Sequence, residues 1–163
     1  MLTEAEKRTR RCCFTGHRPQ KIKQSPDYIR ARLEERIRVA IDAGYTVFIT
    51  GMAPGVDIWA AQIVLRLRDK GCPVRLICAV PFKGFEERWS LAWQEQYQEI
   101  LNAADLVKYI CPSYSKDCFQ IRNEWMVDHA ARVIAVYNGE PSGTRNTIKY
   151  AHTQSVPIDM IEV

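Results

Sequence analysis

Short runs of aliphatic, β-branched and aromatic residues alternate along this chain with longer stretches in which apolar positions recur every three or four residues. The short runs predict strands at 12–15, 46–50, 74–80, 106–110, 133–137 and 157–161. The longer stretches predict helices. Ile29, Leu33, Ile37, Ala40 and Ile41 form one helical stripe, stopped by Asp42-Ala43-Gly44. Trp89, Trp93, Tyr97, Ile100 and Leu101 form another, with Gln94, Glu95, Gln98 and Glu99 on the opposite face. Further helices are expected at 56–70, 117–130 and 143–153. At this spacing the tryptophans are expected to pack in the core.

Strands alternating with helices are the mark of parallel βαβ units, and mostly apolar strands suit a sheet covered on both faces. The expectation is therefore an α/β chain: a single Rossmann-like domain over 1–163, with a mostly parallel sheet of about six strands and helices on both faces. Residues 1–10 read as a charged, partly flexible N-terminal segment. With 163 residues there is room for one core but not for two ordinary ones.

Composition narrows the classes. A chain that is 47% hydrophobic and 26% charged is neither disordered nor fibrous. The net charge of +4 is modest and its arginines are spread, and the run at 30–38 alternates with Glu34 and Glu35 like a solvated helix face. Charge alone does not select nucleic acid. The six cysteines include no C-x-x-C pair and no histidine at zinc spacing, so no metal and no cofactor are expected. Cys12, Cys13, Cys78 and Cys111 lie in or beside apolar runs, where reduced thiols pack as small hydrophobes and suit the cytoplasm. No apolar run approaches the ~20 residues that span a bilayer, so no membrane insertion is expected.

The chemistry is expected in the loops after the strands, where open parallel sheets hold their ligands. After the first strand, Thr15-Gly16-His17-Arg18-Pro19 offers close backbone approach, a histidine donor or base, and a guanidinium suited to phosphate oxygens. A tight turn with a solvated arginine is the competing reading. After the second strand, Thr50-Gly51-Met52-Ala53-Pro54-Gly55-Val56-Asp57 leads into a helix, a small-residue cradle whose amides favour an anion. It matches neither the dinucleotide fingerprint nor the P-loop. Asp57 reads as a partner of the helix dipole or of a sugar hydroxyl. Arg122 and Asn123, on the helix after the fourth strand, face a ligand or pair with Glu124 or Asp128. Asn138-Gly139 and Ser142-Gly143-Thr144 form a second cradle after the fifth strand.

Together these residues resemble the YpsA-like family, a branch of the SLOG superfamily of Rossmann-type domains. That superfamily also contains DNA-processing protein A and the cytokinin-activating LOG phosphoribohydrolases. The resemblance spans nearly the whole chain. It rests on Thr15 to Pro19, on Gly51, Gly55 and Asp57, on Arg122-Asn123 with Trp125-Met126-Val127-Asp128, and on Ala135-Val136-Tyr137-Asn138-Gly139. Ser142-Gly143-Thr144 with Thr147, Ile148 and Ala151 completes it.

The resemblance implies a pocket for a phosphate-bearing nucleotide or ADP-ribose-like ligand on the carboxyl edge of the sheet, with a sensor role, and a homodimer. It offers two further readings. One is N-glycosidic hydrolysis of the LOG type, but Thr147 stands where the P-G-G-x-G-T-x-x-E motif has its glutamate, so no catalytic residue is assigned. The other is single-stranded nucleic-acid binding, which the pI of 8.8 favours but for which no aromatic-basic platform is evident in the sequence.

Overall fold

A computed structural model describes residues 1–163. Six strands form one parallel sheet: β1 (Arg11–Gly16), β2 (Val47–Thr50), β3 (Arg75–Val80), β4 (Leu106–Tyr109), β5 (Arg132–Tyr137) and β6 (Ile158–Glu162). Their order is β4-β3-β2-β1-β5-β6, with every pairing parallel. The chain steps outward from β1 to β4, then returns to the other side of β1 and continues with β5 and β6. The order therefore reverses between β1 and β5, and the loops at their carboxyl ends part to leave a crevice. This is the α/β Rossmann-like architecture expected from the alternation.

Side-chain alternation along each strand divides the core into two layers. Cys12, Phe14, Phe48, Leu76 and Cys78 pack beneath α2 (Pro26–Asp42), α3 (Val56–Asp69) and α4 (Leu91–Ala103). Cys13, Ile49, Ala79, Val133 and Ala135 pack beneath α5 (Cys118–Asp128) and α6 (Gly143–Thr153). The second layer is the smaller, because α5 and α6 have only 11 residues each. β4 departs from the expectation of strands covered on both faces. It pairs with β3 alone, and its Leu106 and Tyr109 are exposed.

Most helices start where their caps place them. Ser25 Oγ accepts from Tyr28 N at 3.2 Å and precedes Pro26, and Ser142 Oγ accepts from Arg145 N at 3.2 Å. Ser90 caps α4, which leaves Trp89 in the preceding turn, half-buried against the core like Trp93. The N-terminal segment contains a helix the apolar pattern does not announce, α1 (Glu4–Arg8). It is closed by a Thr3–Glu6 capping box and tied to the end of α5 by Arg8, whose Nε donates to Ala130 O at 3.0 Å. All six cysteines are free thiols. Cys12, Cys13, Cys78 and Cys118 are buried, Cys111 is half-buried, and burial pushes Cys13 and Cys78 up to about 12. No helix is long and apolar enough to cross a membrane.

One close contact locks the site's scaffold. A Cβ on Gly16 would lie 2.6 Å from the Val56 side chain, so the end of β1 and the start of α3 touch only because residue 16 is glycine. Gly16→Ala is expected to cost about 1–3 kcal/mol by overpacking, because branched Val56 cannot swing away. Urea unfolding measures it, and an unchanged midpoint would show that the two elements separate freely.

Candidate functional site

The crevice at the β1/β5 switch point is a cleft of about 180 Å³. Thr15, Gly16, His17 and Arg18 enter it from β1 and its loop, and Ala53 and Asp57 from the loop after β2 and the first turn of α3. Arg122 and Asn123 reach it from α5, and Ser142, Gly143 and Thr144 from the N-terminus of α6. Eleven of the sixteen residues anticipated from the sequence thus share one cleft.

His17 is its most unusual member. The imidazole is only 2% exposed, stacked on Tyr137 with 5.4 Å between ring centroids, and neither ring nitrogen has a hydrogen-bond partner. Neighbouring Asn138 is close enough to favour the charged ring, but its side-chain amide is engaged in the turn. Its Nδ2 donates to Lys21 O at 3.2 Å, and its Oδ1 accepts from Glu140 N at 2.9 Å. A buried polar group left unpaired costs about 1–3 kcal/mol, so folds seldom keep one without a use.

Burial also lowers the His17 pKa below the ordinary histidine value. The neutral ring then carries one donor and one acceptor at physiological pH. Because the folded value is the lower one, His17's contribution to stability is present above about pH 6.5 and is lost as pH falls through that value toward the folded pKa. Titration of the His17 ring by NMR is expected to show a midpoint below about 6.5. A midpoint at or above it would mean that the imidazole is paired or wet.

Asp57 and Arg122 are both buried and face each other across Gly51. A Cβ there would stand 2.8 Å from Arg122 Nη1 and 2.9 Å from Asp57 Oδ2. Asp57 Oδ2 accepts from Ala53 N at 3.2 Å, and Thr50 Oγ1 donates to Asp57 O at 2.8 Å. Arg122 donates through Nε to Asn123 Oδ1 at 2.8 Å and through Nη1 to Gly51 O. Burial raises the Asp57 pKa, with Arg122 opposing it, and burial lowers that of Arg122, with Asp57 opposing.

The two cradles thus differ. At the first, Asp57's own carboxylate takes the Ala53 amide. Thr50, Gly51 and Gly55 build the loop without lining the cleft, and Gly55 (φ 94°) packs under Pro19, whose Cδ is 2.8 Å from where a Cβ would stand. At the second, Ser142 caps Arg145 N and accepts from Asn146 N, while Gly143 and Thr144 occupy the first helical positions, whose amides have no intrahelical acceptor. Asn138 and Gly139 (φ 90°) form the turn before it, outside the cleft.

Arg18 is exposed and its side chain makes no ion pair or hydrogen bond, so its guanidinium is uncommitted at the rim. Asp57 is the only carboxylate in the cleft. Glu124 accepts from Gln120 at 3.0 Å on its own helix, Glu140 is exposed, and Thr147 turns back to donate to Gly143 O at 2.9 Å.

Phe14, Lys21, Phe119 and Met126 also line the cleft and were not anticipated. Helical spacing could have found two of them, since 119, 122, 123 and 126 lie on one face of α5. Lys21 ends a short 3₁₀ turn (Pro19–Lys21) that leaves no apolar period to read.

Residues 12–163, a span that includes every loop of the cleft, match the YspA SLOG family (YpsA). This chain belongs to the YspA SLOG family. Over 116 residues it is 39% identical to YoqJ, an SPbeta prophage-derived protein of Bacillus subtilis, covering 64% of this chain and 68% of YoqJ. Over 128 residues it is 32% identical to a UPF0398 protein of Shouchella clausii, covering 77% and 68% of the two chains.

In fold this SLOG chain resembles DNA processing protein A of Streptococcus pneumoniae, with a TM-score of 0.67 and 18% identity. It resembles DNA processing protein A of Helicobacter pylori at 0.66 and 19%, a structure described for its single-stranded DNA binding mode. The likeness covers 95% and 96% of this chain but only 51% and 66% of those proteins. At such identity it establishes the shared Rossmann-type architecture.

Proposed function

We propose that this protein binds a phosphate-bearing nucleotide derivative, of the ADP-ribose kind, in the β1/β5 cleft and acts by being occupied, as a sensor does. The observation that carries this reading is the buried, unpartnered imidazole of His17, in the same cleft as the first residues of α6. A neutral histidine supplies a donor and an acceptor, the α6 N-terminus supplies amides and a positive dipole end, and Arg18 supplies an uncommitted charge. Asp57, with one oxygen committed to Ala53, has the other for a sugar hydroxyl. The arginine at 122 commits its hydrogen bonds to Asn123 and Gly51 and its charge to offsetting that of Asp57, so it holds the loop more than it recruits the ligand.

Thermal stabilisation by AMP, ADP-ribose and NAD tests the reading, with Arg18→Ala as the comparison. Turnover is the second reading, and it rests on Asp57 alone because no other carboxylate lines the cleft. Release of free base from a nucleoside monophosphate, abolished in Asp57→Asn, would establish it in place of simple occupancy. The likeness to DNA processing protein A favours a third, single-stranded DNA. Affinity that falls steeply with salt, as counterion release requires, is its signature.

A further inference from the structure

Beside the cleft lies a hollow of about 480 Å³, walled by the turn after β3 and the loop after β4. Its walls are aromatic: Phe82, Phe85, Trp89, Tyr114 and Phe119. Arg18 and Phe119 also line the phosphate cleft, so hollow and cleft adjoin. The rings hold one another edge to face. Phe82 meets Tyr114 at 5.6 Å and 74° and Phe119 at 6.1 Å and 66°, and Phe85 meets Trp89 at 4.8 Å and 76°.

Core packing accounts for Phe85, which is buried, but not for Tyr114. That ring is 64% exposed, in the polar run Ser113-Tyr114-Ser115-Lys116, and touches only Phe82 and Phe119 among the aromatics. Arg18 and Arg88, both exposed, flank the hollow without ion pairs. Aromatic faces beside guanidinium groups are what flat heteroaromatic rings stack on.

Size supports the same assignment. The cleft alone is smaller than the ~300–1,000 Å³ of small-molecule sites, and the hollow brings the joined space into that range. We infer that this aromatic hollow is a base subsite: the nucleobase of the ligand stacks among Tyr114, Phe82 and Trp89 while its phosphate lies at the α6 N-terminus. Arg18 stands at the join. The inference rests on the phosphate-cleft reading above. A single strand of DNA would require several stacking sites along a charged track, whereas one hollow joined to one cleft fits one nucleotide unit.

Calorimetric titration of the full chain with AMP, GMP, ADP-ribose and ribose 5-phosphate tests it, on the unmodified protein and on Tyr114→Ala and Phe82→Leu. AMP or GMP is expected to bind on the order of ten-fold or more tightly than ribose 5-phosphate. Tyr114→Ala is expected to remove that advantage while ribose 5-phosphate binds as before. Equal affinities for base-bearing and base-free probes, or an advantage untouched in both variants, would overturn the base subsite and leave the phosphate cleft standing. No binding by any probe overturns both readings. An oligothymidylate that binds better than any mononucleotide, with affinity growing with length, overturns the inference in favour of a strand.

Discussion

Replacing Arg122 by methionine is expected to cost about 3–5 kcal/mol of stability, because a buried charge partner is removed and a buried carboxylate is left behind. For a chain of this size the melting temperature falls by roughly 6–20 °C. The cause is specific. Asp57 is buried beneath the loop after β2, and Arg122 is the largest influence holding its ionised form there. Since burial raises the folded pKa of Asp57, its contribution is fully present below the ordinary carboxylate value of about 3.9 and is lost as pH rises through the folded value. At neutral pH its charge is therefore a burden that Arg122 offsets, and without Arg122 the burden is bare. The deficit of Arg122→Met relative to the unmodified protein should shrink on acidification, a comparison in which the opposite effect of His17 cancels. Arg122→Met combined with Asp57→Asn should recover most of the loss. Losses that simply add in the double variant would show that the two side chains are not coupled.

The Asp57–Arg122 pair also marks where reading the sequence stops. Glycines, a small-residue loop and a following helix are all visible in Thr50 to Asp57, and they signal an anion site. That a buried guanidinium faces the Asp57 carboxylate follows from the approach of α5 to Gly51, a contact between residues 71 positions apart. Periodicity does well where the determinant is local. Gly143–Thr153 is found to the residue because a serine cap lies just before it and an apolar stripe within it. It fails at β4, whose exposure follows from its place at the end of the strand order, and order is not a local property. It fails at α1, which has no apolar stripe and is held by a capping box, by Arg8 to distant carbonyls and by the Arg11–Glu4 ion pair. The hollow escapes for the same reason. Its rings come from the turn after β3, the loop after β4 and the start of α5, and no one segment shows that they converge.

Ligand binding should produce the second large effect. At a concentration of about one hundred times Kd, a nucleotide derivative that binds only the folded state stabilises it by about 2.7 kcal/mol. The melting temperature then rises by roughly 5–11 °C. Arg18→Ala separates recognition from folding, because in the free protein the Arg18 side chain has no hydrogen bond or ion pair to lose and is the least of the influences on Asp57. Its own melting temperature should stay within about 2 °C of the unmodified value. Loss of a charge-assisted contact worth about 1.5–3 kcal/mol weakens binding roughly ten- to hundred-fold, so the same ligand concentration yields half the stabilisation or less. His17 supplies an independent reading of the same event. A phosphate drawn to the α6 N-terminus beside it favours the imidazolium, so the midpoint of the ring should climb on binding, whichever base the ligand carries. A panel that leaves the melting temperature unmoved would remove the reason for an unpaired histidine in the cleft. Stabilisation that survives Arg18→Ala and leaves His17 untouched would place the ligand elsewhere on the sheet edge.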